Sequence, residues 1–233
     1  MHKIGISEAA RQRMMARTGK THPFDEIDPR QAALVVIDMQ NYFCKPGHQG
    51  EVPASRDIVP NINRLAADLR RRGGLVVWVR NGTHDTRESW SNYHAFLHTP
   101  ERCDRRYAAM EVGGDGYAYW HLNDIRPEDA QVTKTRYSAF IQGSSDIERL
   151  LRDRGVDTLL ITGTATNVCC ESSARDAMML NFKVVMVSDG LATHSDDEHN
   201  AALSIFYGLF GDVQTTDEAV QSLERGDKAR AAA

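Results

Sequence analysis

The stretch Ala32-Ala33-Leu34-Val35-Val36-Ile37, closed by Asp38, decides the fold. It lacks the alternation of a strand with one wet face, so it suits a strand covered on both sides. Leu75–Val79, Thr158–Ile161 and Val184–Val187 repeat the pattern, Val132–Lys134 is a shorter version, and Val213 marks a sixth strand. Ile58–Arg72 carries Ile58, Ile62, Leu65 and Leu69 at helical spacing and stops at Gly73-Gly74, as a helix C-terminus should. Ile147–Arg154, Asn167–Leu180, His199–Phe210 and Ala219–Glu224 read as further helices. Covered strands alternating with helices predict an α/β fold. The expected form is a doubly wound, mostly parallel six-stranded sheet with helices on both faces.

The 233 residues suffice for one well-buried core, and 28 Lys and Arg against 32 Asp and Glu leave a net charge of −4. No basic field draws nucleic acid. Apolar runs end after about six residues, well short of the ~20 that span a bilayer. Met1-His2-Lys3-Ile4-Gly5 lacks the apolar core of a signal peptide. The expected partner is a small-molecule substrate, with no nucleic acid and no membrane. Residues 1–30 read as an Arg- and Met-rich arm, 31–225 as a single domain and 226–233 as a tail that frays from Ala231. Residues 81–130 break the rhythm and concentrate aromatics such as Trp90, Tyr93, Tyr107 and Trp120. They form either a surface excursion or a lid and pocket wall.

Cysteines stand at 44, 103, 169 and 170, without the close pairs at two- to four-residue spacing that hold zinc. Adjacent cysteines rarely bridge, so free thiols in a reducing cytoplasm are expected.

In an open parallel sheet, ligands bind beyond the carboxyl ends of the strands. Asp38, Lys134 and the segment Thr162–Cys169 fall there. Strand, small-residue turn and helix make an anion-binding corner. With Thr166 as N-cap, Cys169 lies in the first helical turn, where free amides and the helix end favour a thiolate and can hold an oxyanion. The single glycine, Gly163, is too little for a nucleotide-binding loop. Cys170, Ala174, Ala177 and Met178 share one narrow helix face, so Cys170 reads as a core thiol while Cys169 points elsewhere.

Asp38 serves either as a base or as a loop-capping carboxylate. Lys134 stands out because only six of the 28 basic residues are lysines; it is either a compact charge for a site or a solvated strand-end residue. Together, Asp38 could take the thiol proton while Lys134 keeps the carboxylate ionised.

Val36-Ile37-Asp38-Met39-Gln40-Asn41, Lys134-Thr135-Arg136-Tyr137-Ser138-Ala139-Phe140 and Gly163-Thr164-Ala165-Thr166-Asn167-Val168-Cys169 resemble the three signature segments of the isochorismatase-like cysteine hydrolases. Arg175-Asp176-Ala177 matches the helix that follows. The resemblance spans about residues 30–215 and is nearest the ureidoacrylate amidohydrolase branch. It implies a catalytic triad of Asp38, Lys134 and Cys169 and a cis peptide between Thr164 and Ala165. It also implies an oxyanion hole from the amides of Ala165 and Cys169, and attack on an amide or ureido carbonyl through a thioester. Asn81, Tyr137 and Phe140 are implied substrate contacts, no cofactor is required, and a dimer or tetramer is expected.

The sequence departs from the family in places. The nicotinamidase branch has an Asp-x-His metal cluster where this chain has Asn81-Gly82-Thr83-His84-Asp85, so no metal site is expected; His94 and His98 read as solvated. The thiol argues against vinyl-ether cleavage, and Cys170 replaces the usual aliphatic residue. Two alternatives stay open: a catalytically idle member that binds a ligand or a protein, and a hydrolase of esters or lactams.

Overall fold

The computed structural model describes residues 1–232. In chain order it forms α1 (Glu8–Thr18), β1 (Ala32–Ile37), α2 (Asn41–Cys44), α3 (Val59–Arg71) and β2 (Leu75–Asn81), then three short helices, α4 (Thr86–Ser89), α5 (Ser91–Phe96) and α6 (Pro100–Met110). There follow β3 (Ala130–Lys134), α7 (Ile147–Asp153), β4 (Thr158–Thr164), α8 (Glu171–Met179), β5 (Lys183–Ala192), α9 (Asp196–Leu209), β6 (Asp212–Gln214) and α10 (Thr216–Ala232). A five-residue π-helical turn, Thr166–Cys170, links β4 to α8.

The six strands pair in the order β3-β2-β1-β4-β5-β6, every pair parallel. From β1 the chain winds one way to β2 and β3. From β4 it winds the other way to β5 and β6. The β1/β4 boundary, where Ile37 pairs with Gly163, is therefore the switch point at which such sheets open a crevice.

All six β1 side chains are fully buried, as the unbroken apolar run requires. Ala33, Val35 and Ile37 face one core, shared with α1, α7, α8 and α9. Ala32, Leu34 and Val36 face the other, shared with α3 and α10. Ile58, Ile62, Leu65 and Leu69 are likewise fully buried. The helix they line closes with Gly73 at φ 82° and Gly74 N–H donating to Leu69 O.

Two terminal expectations are corrected. The N-terminal segment is not a free arm: Ser7 caps α1, which packs on α9 and buries Ala10 and Met14 in the core. The C-terminal helix starts and ends beyond Ala219–Glu224, and most of the expected 226–233 tail is helical. It begins with a reciprocal cap in which Glu218 N–H donates to Thr215 Oγ1 and Thr215 N–H to Glu218 Oε2. Gly226, a helix breaker by composition, is there for close approach: a Cβ would come 2.0 Å from Ile27 O. Ala231 and Ala232 are helical, and the expectation for Ala233 lies outside the described residues. Among the described residues no helix is long and apolar enough to cross a membrane.

Candidate active site

Three strand ends deliver the three predicted residues to one place. At the end of β1 the chain turns sharply through Asp38, whose φ of 57° is left-handed for a residue with a side chain. Such backbone is retained where the surroundings over-determine it. Asp38 N–H donates to Val79 O, and Gln40 N–H donates to Asp38 O. Gln40 clamps β1 to β2: its Oε1 accepts from Asn81 N–H at 2.7 Å and its Nε2 donates to Asn81 O.

Lys134, on the edge strand β3, reaches past β2 to place Nζ 2.9 Å from Asp38 Oδ2, both side chains completely buried. The ammonium donates to Arg136 O at 3.0 Å and approaches the carboxylate off its hydrogen-bonding direction, leaving Asp38 Oδ1 and Oδ2 without an aligned donor. Burial pulls the Lys134 pKa down, but the facing Asp38 and Cys169 more than compensate, so it is held above its ordinary value. Lys134 is therefore not a solvated strand-end residue.

Cys169 sits on the π-helical turn, close enough to Asp38 and Lys134 for both charges to act on its thiol. Thr166 is not the N-cap. Ala165 occupies that position, and Thr166 Oγ1 is paired with His199 Nδ1 at 2.9 Å. The Thr164–Ala165 peptide is cis. Ser173 Oγ donates to Cys169 O and accepts from Ala139 N–H, tying the loop after β3 to the turn.

The expectation of a resting thiolate is corrected. Burial pushes the Cys169 thiol up to about 12, with the Asp38 charge adding to the rise and Lys134 opposing it. Desolvation outweighs the ammonium and so favours the neutral thiol over the thiolate. Cys170 is fully buried in the core, and all four cysteines are unbridged.

Above Cys169 lies a cavity of about 210 Å³ whose walls include Asn81, Tyr93, His98, Arg106, Tyr137 and Ala165. Asn81 and Tyr137 line it. Asn81 spends its side chain on neighbours, accepting from Arg106 Nη2 at 2.9 Å and donating to Arg136 O. Phe140 does not line it; its ring packs toward Phe182 in the core.

Residues 86–110, expected to be irregular, fold as α4, α5 and α6 and bring Tyr93, His98 and Arg106 to the wall. Tyr93 belongs to the segment read as either a surface excursion or a pocket wall, whereas Arg106 and Gln49 were missed. The overlooked signal is a helical stripe: Cys103, Arg106 and Met110 recur at i, i+3 and i+7 and are the buried residues of α6, so one arginine stands among its inward positions. His94 and His98 are half-buried, not solvated, and His84 lines a different cavity. Among the described residues no three His, Cys, Asp or Glu side chains gather to hold a metal ion.

The isochorismatase domain model matches residues 32–218. The chain belongs to the isochorismatase family. It is 30% identical to the isochorismatase family protein YwoC of Bacillus subtilis over 85% of this chain and 97% of that one. It is 32% identical to the ureidoacrylate amidohydrolase RutB of Klebsiella pneumoniae over 80% and 86% respectively. A cysteine hydrolase from Pseudomonas syringae pv. phaseolicola superposes with a TM-score of 0.73 at 27% identity, covering 86% of this chain and 95% of that one. This isochorismatase-family protein is accordingly a hydrolase with the family's α/β sheet.

Proposed function

We propose that the chain is a cysteine-dependent amidohydrolase that cleaves the C–N bond of a small amide or carbamoyl compound through a thioester. The observation that carries this reading is the convergence of Cys169 with the buried Asp38–Lys134 pair beneath a small cavity. The ureidoacrylate amidohydrolase relative adds support for amide chemistry.

Because the thiol is neutral, its deprotonation is coupled to attack. A carboxylate oxygen of Asp38, unclaimed by an aligned donor, takes the proton as sulfur bonds to the carbonyl carbon. Lys134, held above its ordinary pKa, stays an ammonium beside the Asp38 side chain throughout. The amides of Ala165 and Cys169 receive the oxyanion. The tetrahedral intermediate then collapses, the C–N bond breaks, and Asp38 returns its proton to the leaving nitrogen. Water attacks the resulting thioester, Asp38 takes one of its protons, and that proton re-forms the thiol as the acid product departs.

The test is intact-protein mass spectrometry of an acyl adduct trapped at Cys169, beside turnover by Cys169→Ala and Cys170→Ala. An adduct on Cys169, with Cys170→Ala active and Cys169→Ala dead, supports the reading. A dead Cys170→Ala beside an active Cys169→Ala overturns it.

A further inference from the structure

The segment ahead of α1 ends against the back of the turn that carries Cys169. Polar ties lay residues 3–7 along α9. Asn200 Nδ2 donates to Lys3 O at 2.9 Å, Gly5 N–H donates to Asn200 Oδ1 at 2.8 Å, and Ser7 N–H donates to Ser204 Oγ at 2.9 Å. Residues four apart are neighbours on a helix surface, so the segment runs along α9 like a strap. It delivers His2 to the start of that helix, where the imidazole is only 6% exposed.

His2 contacts both supports of the Cys169 turn. Its Nε2 accepts from Thr193 N–H at 3.0 Å, and Thr193 Oγ1 donates to Asn167 Oδ1 at 2.7 Å. Its ring stacks on His199 at 4.5 Å, and His199 Nδ1 pairs with Thr166 Oγ1 at 2.9 Å. Because Nε2 accepts, the ring hydrogen of His2 sits on Nδ1, where Asp196 Oδ1 receives it at 2.7 Å. Thr166 and Asn167 open the five-residue π-helical turn, and no side chain caps it. Such single wide turns are rare, and this one takes its bracing from β5 and α9 instead of from its own residues.

We propose that His2 is a positioning residue for Cys169: the strap ahead of α1 holds the nucleophile's turn in place beside Asp38 and Lys134. This rests on the reading of Cys169 as the nucleophile. The ring stays behind the turn and acts through two relays, Thr193 to Asn167 and His199 to Thr166. Attack needs the reacting atoms aligned, and a displacement of about 1 Å can cost about 100-fold in rate. Loosening the turn therefore slows acylation of the sulfur more than it weakens binding in the cavity.

The test compares the intact protein with His2→Ala, His2→Leu and His2→Gln. The acyl donor is p-nitrophenyl acetate, with Cys169→Ala as background. His2→Ala should slow Cys169-dependent release of p-nitrophenolate at least about tenfold while the half-saturating ester concentration stays within about twofold. Leucine keeps apolar bulk but accepts no hydrogen bond, so His2→Leu should stay slow. Glutamine offers Oε1 to Thr193 N–H, so His2→Gln should recover most of the rate. Hydrogen–deuterium exchange over residues 165–172 should rise in His2→Ala and His2→Leu and fall back in His2→Gln, with β1 as the control for global unfolding. A full rate in His2→Ala overturns the proposal, and so does recovery by His2→Leu, which would make the ring mere filling. Ester cleavage that does not depend on Cys169 counts against the thioester reading. Exchange in the turn needs no thiol chemistry and then decides the strap alone: a rise in His2→Ala supports it and an unchanged turn overturns it.

Discussion

Lys134 Nζ lies 2.9 Å from Asp38 Oδ2 with both side chains sealed from solvent, yet neither oxygen of Asp38 has an aligned hydrogen bond. A stability device would align that contact. Here the ammonium supplies charge while the carboxylate lone pairs stay free for a proton.

Breaking this pair therefore separates folding from chemistry. Removing one partner leaves a bare buried charge and costs about 3–5 kcal/mol. Asp38→Asn and Lys134→Met should each lower the unfolding free energy obtained from urea titration by that amount. The double variant buries no net charge and should recover most of the stability while remaining inactive. Turnover by the double variant would show that Asp38 is not the base.

The neutral thiol makes a spectroscopic prediction. With Cys169 pushed up to about 12, subtracting the spectrum of Cys169→Ala from that of the intact protein should reveal no thiolate absorbance near 240 nm between pH 6 and 9. Alkylation by iodoacetamide should be slower than for a free thiol and should accelerate as pH rises. An ionisation midpoint below pH 8 would contradict the desolvation account.

Gly163 has two independent reasons to be glycine. Its φ is +112°, and a Cβ would meet Ile37 O at 2.0 Å across the switch point. Gly155 has only the first, at φ +69° with nothing within 4 Å. Gly155→Ala should cost about 1–2 kcal/mol, the left-handed penalty alone. Gly163→Ala should cost several times that, or fail to fold, because neither backbone can yield without parting β1 from β4. Equal effects on the melting temperature would refute the steric reading.

What could be read in advance follows from what the sequence must pay to hide. A strand covered on both faces has to be apolar at every position, so β1 was legible, and a charge ending such a run draws notice, so Asp38 was too. Lys134 stood out by scarcity and Cys169 by its corner. Arg106 was hidden by its surroundings in the chain: Arg105 and Asp104 beside it are exposed, and a charged run disguises the one member that turns inward. The resting state of the thiol was misjudged because local sequence reports the helix end nearby but not the depth of burial. Thr215-Thr216-Asp217-Glu218 did carry a helix-start signature, and Gly226 obscured how far that helix runs.

The turn that carries Cys169 is braced from behind by histidines, which gives the fold an acid limit. Fully buried His199 is paired through Nδ1 with Thr166 Oγ1, has no partner for Nε2, and stacks on His2 at 4.5 Å. His2 in turn accepts from Thr193 N–H and contacts Asp196 at 2.7 Å. Burial and the neighbouring His2 hold the His199 pKa down at about 4, against 6.5 for a free imidazole. Between those values the unfolded chain binds a proton that the native state refuses. Stability is then complete above pH 6.5 and declines as pH falls towards 4, by up to about 3 kcal/mol from this group. Replacing the imidazole by a group that does not titrate, His199→Gln, should flatten that limb in urea unfolding measured from pH 7 to 4, whatever it does to stability at neutral pH. A limb equally steep in both proteins would assign the acid sensitivity elsewhere.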